Sequence, residues 1–207
     1  MTVRYAGVLP YAHDARTGRI AVLLGEEDGS GSDAGLWSDF GGIVDASDAS
    51  VRDAAAREAY EESMGLLGAS PAAIAERLSE RRALDIWSPP RGPTDPGGRG
   101  RVYLLRMQWP PGAQWEAAFD GVRAYVMRAV AHAIRPEEHT ASSSHPRQVA
   151  WPEGFMEKRR VRWVPLDDST IQRVKMRSFF RDSTWPALRA RAAAAIPRSS
   201  PTTLTGC

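Results

Sequence analysis

The chain is nearly without cysteine: of 207 residues only the last, Cys207, is one. A lone cysteine closes no internal disulfide, so stability must come from a packed core, as expected in a reducing compartment. Long apolar runs are missing too, and no stretch approaches the roughly 20 residues that a membrane helix needs. The first residues, MTVRYAGVLPYAHD, lack a basic segment followed by an apolar run and a cleavage site. The expectation is a soluble, cytoplasmic protein with no membrane partner. Histidine is scarce, and His13, His132, His139 and His145 show no metal-ligand spacing. No internal repeat is present.

What remains is a globular composition, 43% hydrophobic and 25% charged. The length suits a single domain, expected over 1–195, followed by a tail over 196–207 with disordered composition. The net charge of +2 hides an asymmetry. Residues 1–100 carry 10 Lys/Arg and 16 Asp/Glu, giving −6, whereas the rest carries 17 and 9, giving +8. An acidic half facing a basic half suits a phosphate-rich ligand, although basic helices are commonly only solvated.

Short β-favouring runs at Val3–Pro10 and Arg19–Gly25 flank a turn-rich segment and predict a hairpin. His13 is expected in that loop. Glu26-Glu27-Asp28 opens a glycine-rich loop and reads as a solvated acidic run. Trp37 and Phe40 are expected in the core beneath the helix that follows. Ser70-Pro71 starts a second helix, expected to continue through AAIAERLSER. Strands are predicted at Ala83–Trp87, Arg101–Trp109 and Val161–Val164. The Pro/Gly-dense stretch 88–100 reads as a surface loop, with Arg91, Arg99 and Arg101 as substrate-facing cations or simple connector residues. Trp115, Phe119, Val122, Val126, Val130 and Ile134 recur at helical spacing and predict a helical insertion near 113–134, with one or two helices packed on the domain or on a second subunit. Residues 136–152 return to loop composition. A final helical region, IQRVKMRSFF, is expected to be capped by Asp168-Ser169 and followed by the alanine-rich helix ALRARAAAAI. Trp87, Trp109 and Trp151 serve equally as base-stacking groups or as core.

The densest chemistry lies in Gly41–Gly65. A helix through Arg57-Glu58-Ala59-Tyr60-Glu61-Glu62 puts Glu58, Glu61 and Glu62 on one face, three and four residues apart. Three converging carboxylates repel one another unless a cation lies between them, and hard divalent cations favour oxygen ligands. Alone, such a run reads as a solvated acidic face. The lead-in changes the weighing: Gly41-Gly42 follows Leu36-Trp37-Ser38-Asp39-Phe40, and a glycine pair at a strand end admits a ligand close to backbone.

Together these residues resemble the Nudix box, G-x5-E-x7-R-E-U-x-E-E-x-G-U. Gly42 takes the first glycine, Arg57-Glu58 the R-E pair and Glu61-Glu62 the E-E pair, with Gly65-Leu66 closing it. Three departures stand out. Counted back from Arg57, the loop glutamate falls on Ala49, with Asp48 as its stand-in and one extra residue before Arg57; Ala59 replaces the bulky aliphatic; and Met64 adds a residue before Gly65. The resemblance implies an α/β/α sandwich around a mixed sheet, with additional helices here. It implies a metal-dependent hydrolase that cleaves a diphosphate linkage in a nucleoside diphosphate joined to another moiety. Mg²⁺, or Mn²⁺ in its place, is expected on Glu58, Glu61, Glu62 and the Gly42 carbonyl. Asp48, Arg57 and Gly65 are expected to be structural, with Arg57 holding Asp48 or nearby backbone. Glu157, six residues before Trp163, is the candidate general base beside Glu61 and Glu62. A second reading is mRNA decapping, with RNA guided by Arg173 and Lys175. A third, from another class, is a non-catalytic nucleotide- or RNA-binding module. A homodimer is compatible with all three.

Overall fold

The computed structural model describes residues 2–29, 32–88, 98–109, 114–134 and 154–195. Arg91, His139, His145, Trp151 and the tail 196–207 lie outside the described residues, as do the side chains of His132 and Ile134. Strands β1 (Val3–His13) and β2 (Ile20–Glu27) form the expected hairpin, with Tyr11 opposite Val22 and His13 opposite Ile20. Asp14 shapes the turn by accepting hydrogen bonds from the Arg16 N–H and the Thr17 hydroxyl. His13, expected in that loop, instead closes β1 and is half-buried.

Next come β3 (Trp37–Ser38), β4 (Phe40–Ile43), α1 (Val51–Glu62), α2 (Pro71–Ala75), a 3-10 turn (Glu80–Arg82), β5 (Ala83–Ser88) and β6 (Gly98–Met107). The chain continues with α3 (Gln114–Ile134), β7 (Lys158–Pro165), α4 (Asp168–Arg173) and a π turn (Phe180–Thr184) that runs into α5 (Trp185–Ala195). Strands lie in the order β3-β2-β1-β6-β5, with β4 also paired to β1 and β7 to β2. The β1–β6 pairing is parallel and the others are antiparallel, so the sheet is mixed as expected.

Alternation along the strands builds two cores. Ala6, Val8, Leu23, Tyr103 and Leu105 face α1, whose Ala54, Ala55, Ala56 and Ala59 pack flat against the sheet. Leu9, Val22, Leu24, Val102 and Leu104 face the other way, against Phe180, Trp185 and Leu188. The result is an α/β/α sandwich. Helix α3 is one continuous element that buries Phe119 and Val126 in the α1 layer, with Trp115, Val122 and Val130 beside them. Its opposite face leaves Tyr125 and Met127 exposed.

Several expectations need correction. Ser70 caps α2 through the Ala73 N–H as foreseen, but the helix stops at Ala75 and the chain turns into Glu80–Arg82. Phe40 does lie under α1, whereas Trp37 packs in the opposite layer beneath Arg160 and Arg162, each 5.4 Å from its ring. Arg99 and Arg101 belong to β6, where Arg101 pairs with Asp85 and Glu80. The final helical region is broken. Asp167, not Asp168 or Ser169, caps α4, and residues 175–177 then run beside β3, with Trp37 N–H donating to the Lys175 carbonyl and Arg177 N–H to the Trp37 carbonyl. Tertiary pairing with β3 outweighs helix propensity in this stretch.

Gly121 lies exposed inside α3, and a methyl group there would meet no atom within 4 Å. Glycine inside a helix costs about 1 kcal/mol relative to alanine. Gly121→Ala is therefore expected to raise the melting temperature by roughly 2–4 °C in a thermal unfolding scan. An unchanged or lower value would contradict a continuous α3.

Candidate functional site

Helix α1 is fixed at its start by Ser50, whose side chain accepts from the Asp53 N–H. Its alanine face seals the core, leaving Arg57, Glu58 and Glu61 to project toward solvent. The helix ends in two left-handed residues, Met64 (φ 52°) and Gly65 (φ 79°). Met64 thus takes the conformation that a closing glycine would provide, which accounts for the extra residue before Gly65.

Arg57 organises the outer face. It grips Asp48 with two bonds, Nε to Oδ1 at 3.0 Å and Nη2 to Oδ2 at 3.1 Å, and also reaches the Ile43 carbonyl. Its Nη1 is shared by Glu58 Oε1 at 3.0 Å and Glu61 Oε2 at 3.1 Å. These hydrogen bonds hold the Asp48 carboxyl below the usual carboxylate range. Glu58 and Glu61 are shifted the other way: partial burial raises both, Arg57 offsets this, and repulsion from Glu157 adds to it.

Glycines bring these groups together. Glu58 lies so close over Gly42 that a Cβ there would be 2.5 Å from Glu58 Oε1. Gly154, in the turn before β7, lies between Glu61 and Glu157: a Cβ there would be 3.1 Å from Glu61 Oε2 and 3.7 Å from Glu157 Oε1. An open pocket of about 450 Å³ is lined by Ile43, Asp45, Arg57, Glu58, Glu61, Gly154 and Glu157, together with Ser47.

Glu62 is not among the lining residues. It is turned inward and buried, where Oε2 accepts the Gly41 N–H at 2.7 Å and Oε1 meets Lys158 Nζ at 3.0 Å. Burial pushes its carboxyl up to about 8, against the pull of Lys158. Among the described residues, no group of three or more His, Cys, Asp or Glu side chains is arranged to hold a metal ion. No described helix is long and apolar enough to cross a membrane.

No family model matches the chain, and no curated protein does. Solved structures give only distant likenesses. A Nudix hydrolase from M. smegmatis, RenU, is 16% identical over 93% of this chain and 88% of that one, with a TM-score of 0.47. The C. elegans Ap4A hydrolase is 16% identical over 94% and 98%, at 0.45. The Nudix domain of Shewanella oneidensis NrtR, complexed with ADP ribose, is 14% identical over 92% and 88%, at 0.44. Similarity at this level carries no functional argument.

The other residues expected to contact substrate are elsewhere. Arg173 and Lys175 are on or just after α4, in the layer opposite α1; Arg173 donates to the Ser169 carbonyl and hydroxyl, and Lys175 borders a separate pocket with Asp33 and Arg181. Trp87 is exposed on β5, and Trp109 lies under Arg19. The acidic run is not solvated. Glu26 pairs with Arg159 and Arg160, Glu27 with Lys158 and Arg177, and Asp28 with Arg123. Gly154 carries no signal in the sequence, and Lys158, which the sequence offers only as a salt-bridge partner for Glu157, pairs instead with Glu27 and Glu62.

Asp39 lies in the seam between β3 and β4, fully buried, with Oδ1 accepting from the Tyr5 hydroxyl and Oδ2 without a hydrogen-bond partner. Burial raises its carboxyl from 3.8 to about 6. Between those values the unfolded chain has released this proton while the folded chain retains it, so stability falls as pH rises through the window. Asp39→Asn is expected to remove that slope. The stability of the variant relative to the parent should rise by about 2 kcal/mol between pH 4 and pH 7. Urea unfolding at stepped pH measures this, and a constant difference would rule out the raised pKa.

Proposed function

We propose that the chain is a Nudix-type hydrolase that uses Mg²⁺, or Mn²⁺ in its place, to cleave the diphosphate linkage of a nucleoside diphosphate joined to another group, releasing a nucleotide. One observation carries this reading: Glu58, Glu61 and Glu157 converge on one open pocket, with Gly42 and Gly154 leaving backbone bare between them. It is the donor chemistry, rather than a ready-made cluster of three carboxylates, that fits a hard divalent cation: every ligand offered is an oxygen, from carboxylates or the Gly42 carbonyl. The charge balance fits too, since the single Arg57 guanidinium serves Asp48, Glu58 and Glu61 at once. Glu58 and Glu61 would hold the ion, with Glu157 and the Gly42 carbonyl nearby. Glu62 does not fit the same role, because both its oxygens are engaged within the protein.

When bound, the ion would neutralise phosphate charge and lower the pKa of water. The remaining steps belong to side chains. Arg57 keeps the loop through Asp48 folded against α1, which fixes the pocket wall at Ile43 and Asp45. Glu157, exposed at the rim, accepts the proton of the attacking water as that oxygen bonds to phosphorus. The bridging P–O bond breaks and the second phosphate leaves with the electron pair. The geometry does not favour decapping, because Arg173 and Lys175 are remote from this pocket. The non-catalytic module has one observation in its favour: Arg57 Nη1 already occupies the position between Glu58 and Glu61.

The test is incubation with Mg²⁺ and a panel of free nucleotides, dinucleoside polyphosphates, nucleotide sugars and capped RNA. The parent is expected to cleave one class and Glu61→Gln none. Glu157→Gln is expected to lower kcat by about 10²–10⁴ with little change in KM. Failure of the parent on every substrate, with Mg²⁺ and then Mn²⁺, would favour the binding module.

A further inference from the structure

Beneath the pocket floor lies a cation that the proposed hydrolysis does not use. Lys158 is one of two lysines, with Lys175, among 27 basic residues. Its side chain is fully enclosed, at 0% exposure. The ammonium lies 2.5 Å from Glu27 Oε1, 3.0 Å from Glu62 Oε1 and 3.1 Å from Ser38 Oγ. An ammonium has three donors, and all three are used. Gly25 clears the way for the stem, since a Cβ there would be 2.9 Å from Lys158 Cγ and Cδ. The other oxygen of Glu62 accepts the Gly41 N–H at 2.7 Å.

We propose that Lys158 is a built-in counter-cation for Glu62, confining divalent metal to the Glu58–Glu61 side of α1 and making Glu62 a positioning residue for the Gly41–Gly42 backbone. This rests on the metal-dependent reading above. A buried ammonium persists only where partners compensate its desolvation. A metal ion at Glu62 would have to break the hydrogen bonds of an ammonium with no solvent to receive it. Positioning follows from adjacency. Glu62 fixes Gly41, and the next residue, Gly42, is the bare surface against which the Glu58 carboxylate rests.

The experiment measures Mn²⁺ binding to the full chain without substrate, alongside thermal unfolding without metal. Lys158→Met alone leaves Glu62 buried without its cation, whereas Glu27 keeps Arg177 and Ser38, so the informative variant combines Lys158→Met with Glu62→Gln. It is expected to bind Mn²⁺ within about threefold of the parent, whereas Glu61→Gln weakens binding at least tenfold. Glu62→Gln alone is expected to keep Mn²⁺ affinity while melting roughly 10 °C lower, because one partner of a buried pair is lost. A tenfold loss of Mn²⁺ affinity in either Glu62→Gln background, with a cooperative melt retained, makes Glu62 a ligand and overturns the inference. If the parent binds no Mn²⁺, the metal-dependent reading fails and takes this inference with it. Conservative rescue reads the positioning role. Glu62→Gln, which keeps an acceptor for the Gly41 N–H, should hold kcat well above Glu62→Ala, and equal losses would overturn that role.

Discussion

Strand β1 changes partner halfway along one edge. Its first half pairs with β4, Tyr5 opposite Ile43 to Val8 opposite Phe40, and its second half with β2, Tyr11 opposite Val22 onward. The chain crosses between those partners in a few residues, with Trp37–Ser38 on β2 and Phe40–Ile43 on β1. Asp39 lies at the point of divergence. A fork of this kind leaves backbone and side-chain polar groups inside the sheet, where each must find a partner or cost the full desolvation. Glu62 reaches from α1 to the Gly41 N–H for that reason, so the last turn of α1 is docked by the fork itself. The direction of Glu58 and Glu61 is inherited from that docking.

Filling the fork with carboxylates creates a charge problem. Among the described residues, Glu27, Glu62 and Asp39 are balanced by Lys158 and Arg177, while Arg177 also serves Asp33 at the surface. Burial pushes Glu62 to about 8 and Asp39 to about 6, while Glu62 and Glu27 raise Lys158 and keep it charged. Hydrogen bonding discriminates between the two acids. Both Glu62 oxygens receive donors, whereas Asp39 Oδ2 has none. Donors to an ionised carboxylate favour ionisation. Geometry therefore favours Asp39 as the holder of the odd proton, although burial pushes Glu62 up further.

Local chemistry was legible in the sequence and distant pairing was not. The short β-favouring runs of β1, β2 and β6, the alanine face of α1, the Ser70 cap and the stripe of α3 each declare themselves within a few residues. So does the Arg57–Asp48 pair, nine residues apart. Glu26, Glu27 and Asp28 looked solvated because their partners come from 95 to 150 positions later. The break after α4 was hidden for the same reason, since IQRVKMRSFF reads as helix until β3 claims the backbone of residues 175–177. Glu62 is the instructive case. Its spacing puts it with Glu58 and Glu61, but burial and Lys158 draw it to the other side of the Gly41–Gly42 backbone.

Strain marks the two edges of the pocket. Among the described residues, Met64 and Met156 are the non-glycine residues at positive φ, at 52° and 79°. A left-handed residue other than glycine costs about 1–2 kcal/mol. Both methionines pack against the α1 core, so burial offsets the cost. Neither turn is a tolerant surface loop. Met64 turns the chain just past the Ser63 cap that follows Glu61 and Glu62, and Met156 sets the backbone direction just before Glu157, whose own carbonyl is tied to the Asp28 N–H at 2.7 Å. Such strain persists only where surrounding contacts over-determine the conformation. Here the over-determined segments are those that aim the carboxylates of α1 and Glu157 into one pocket.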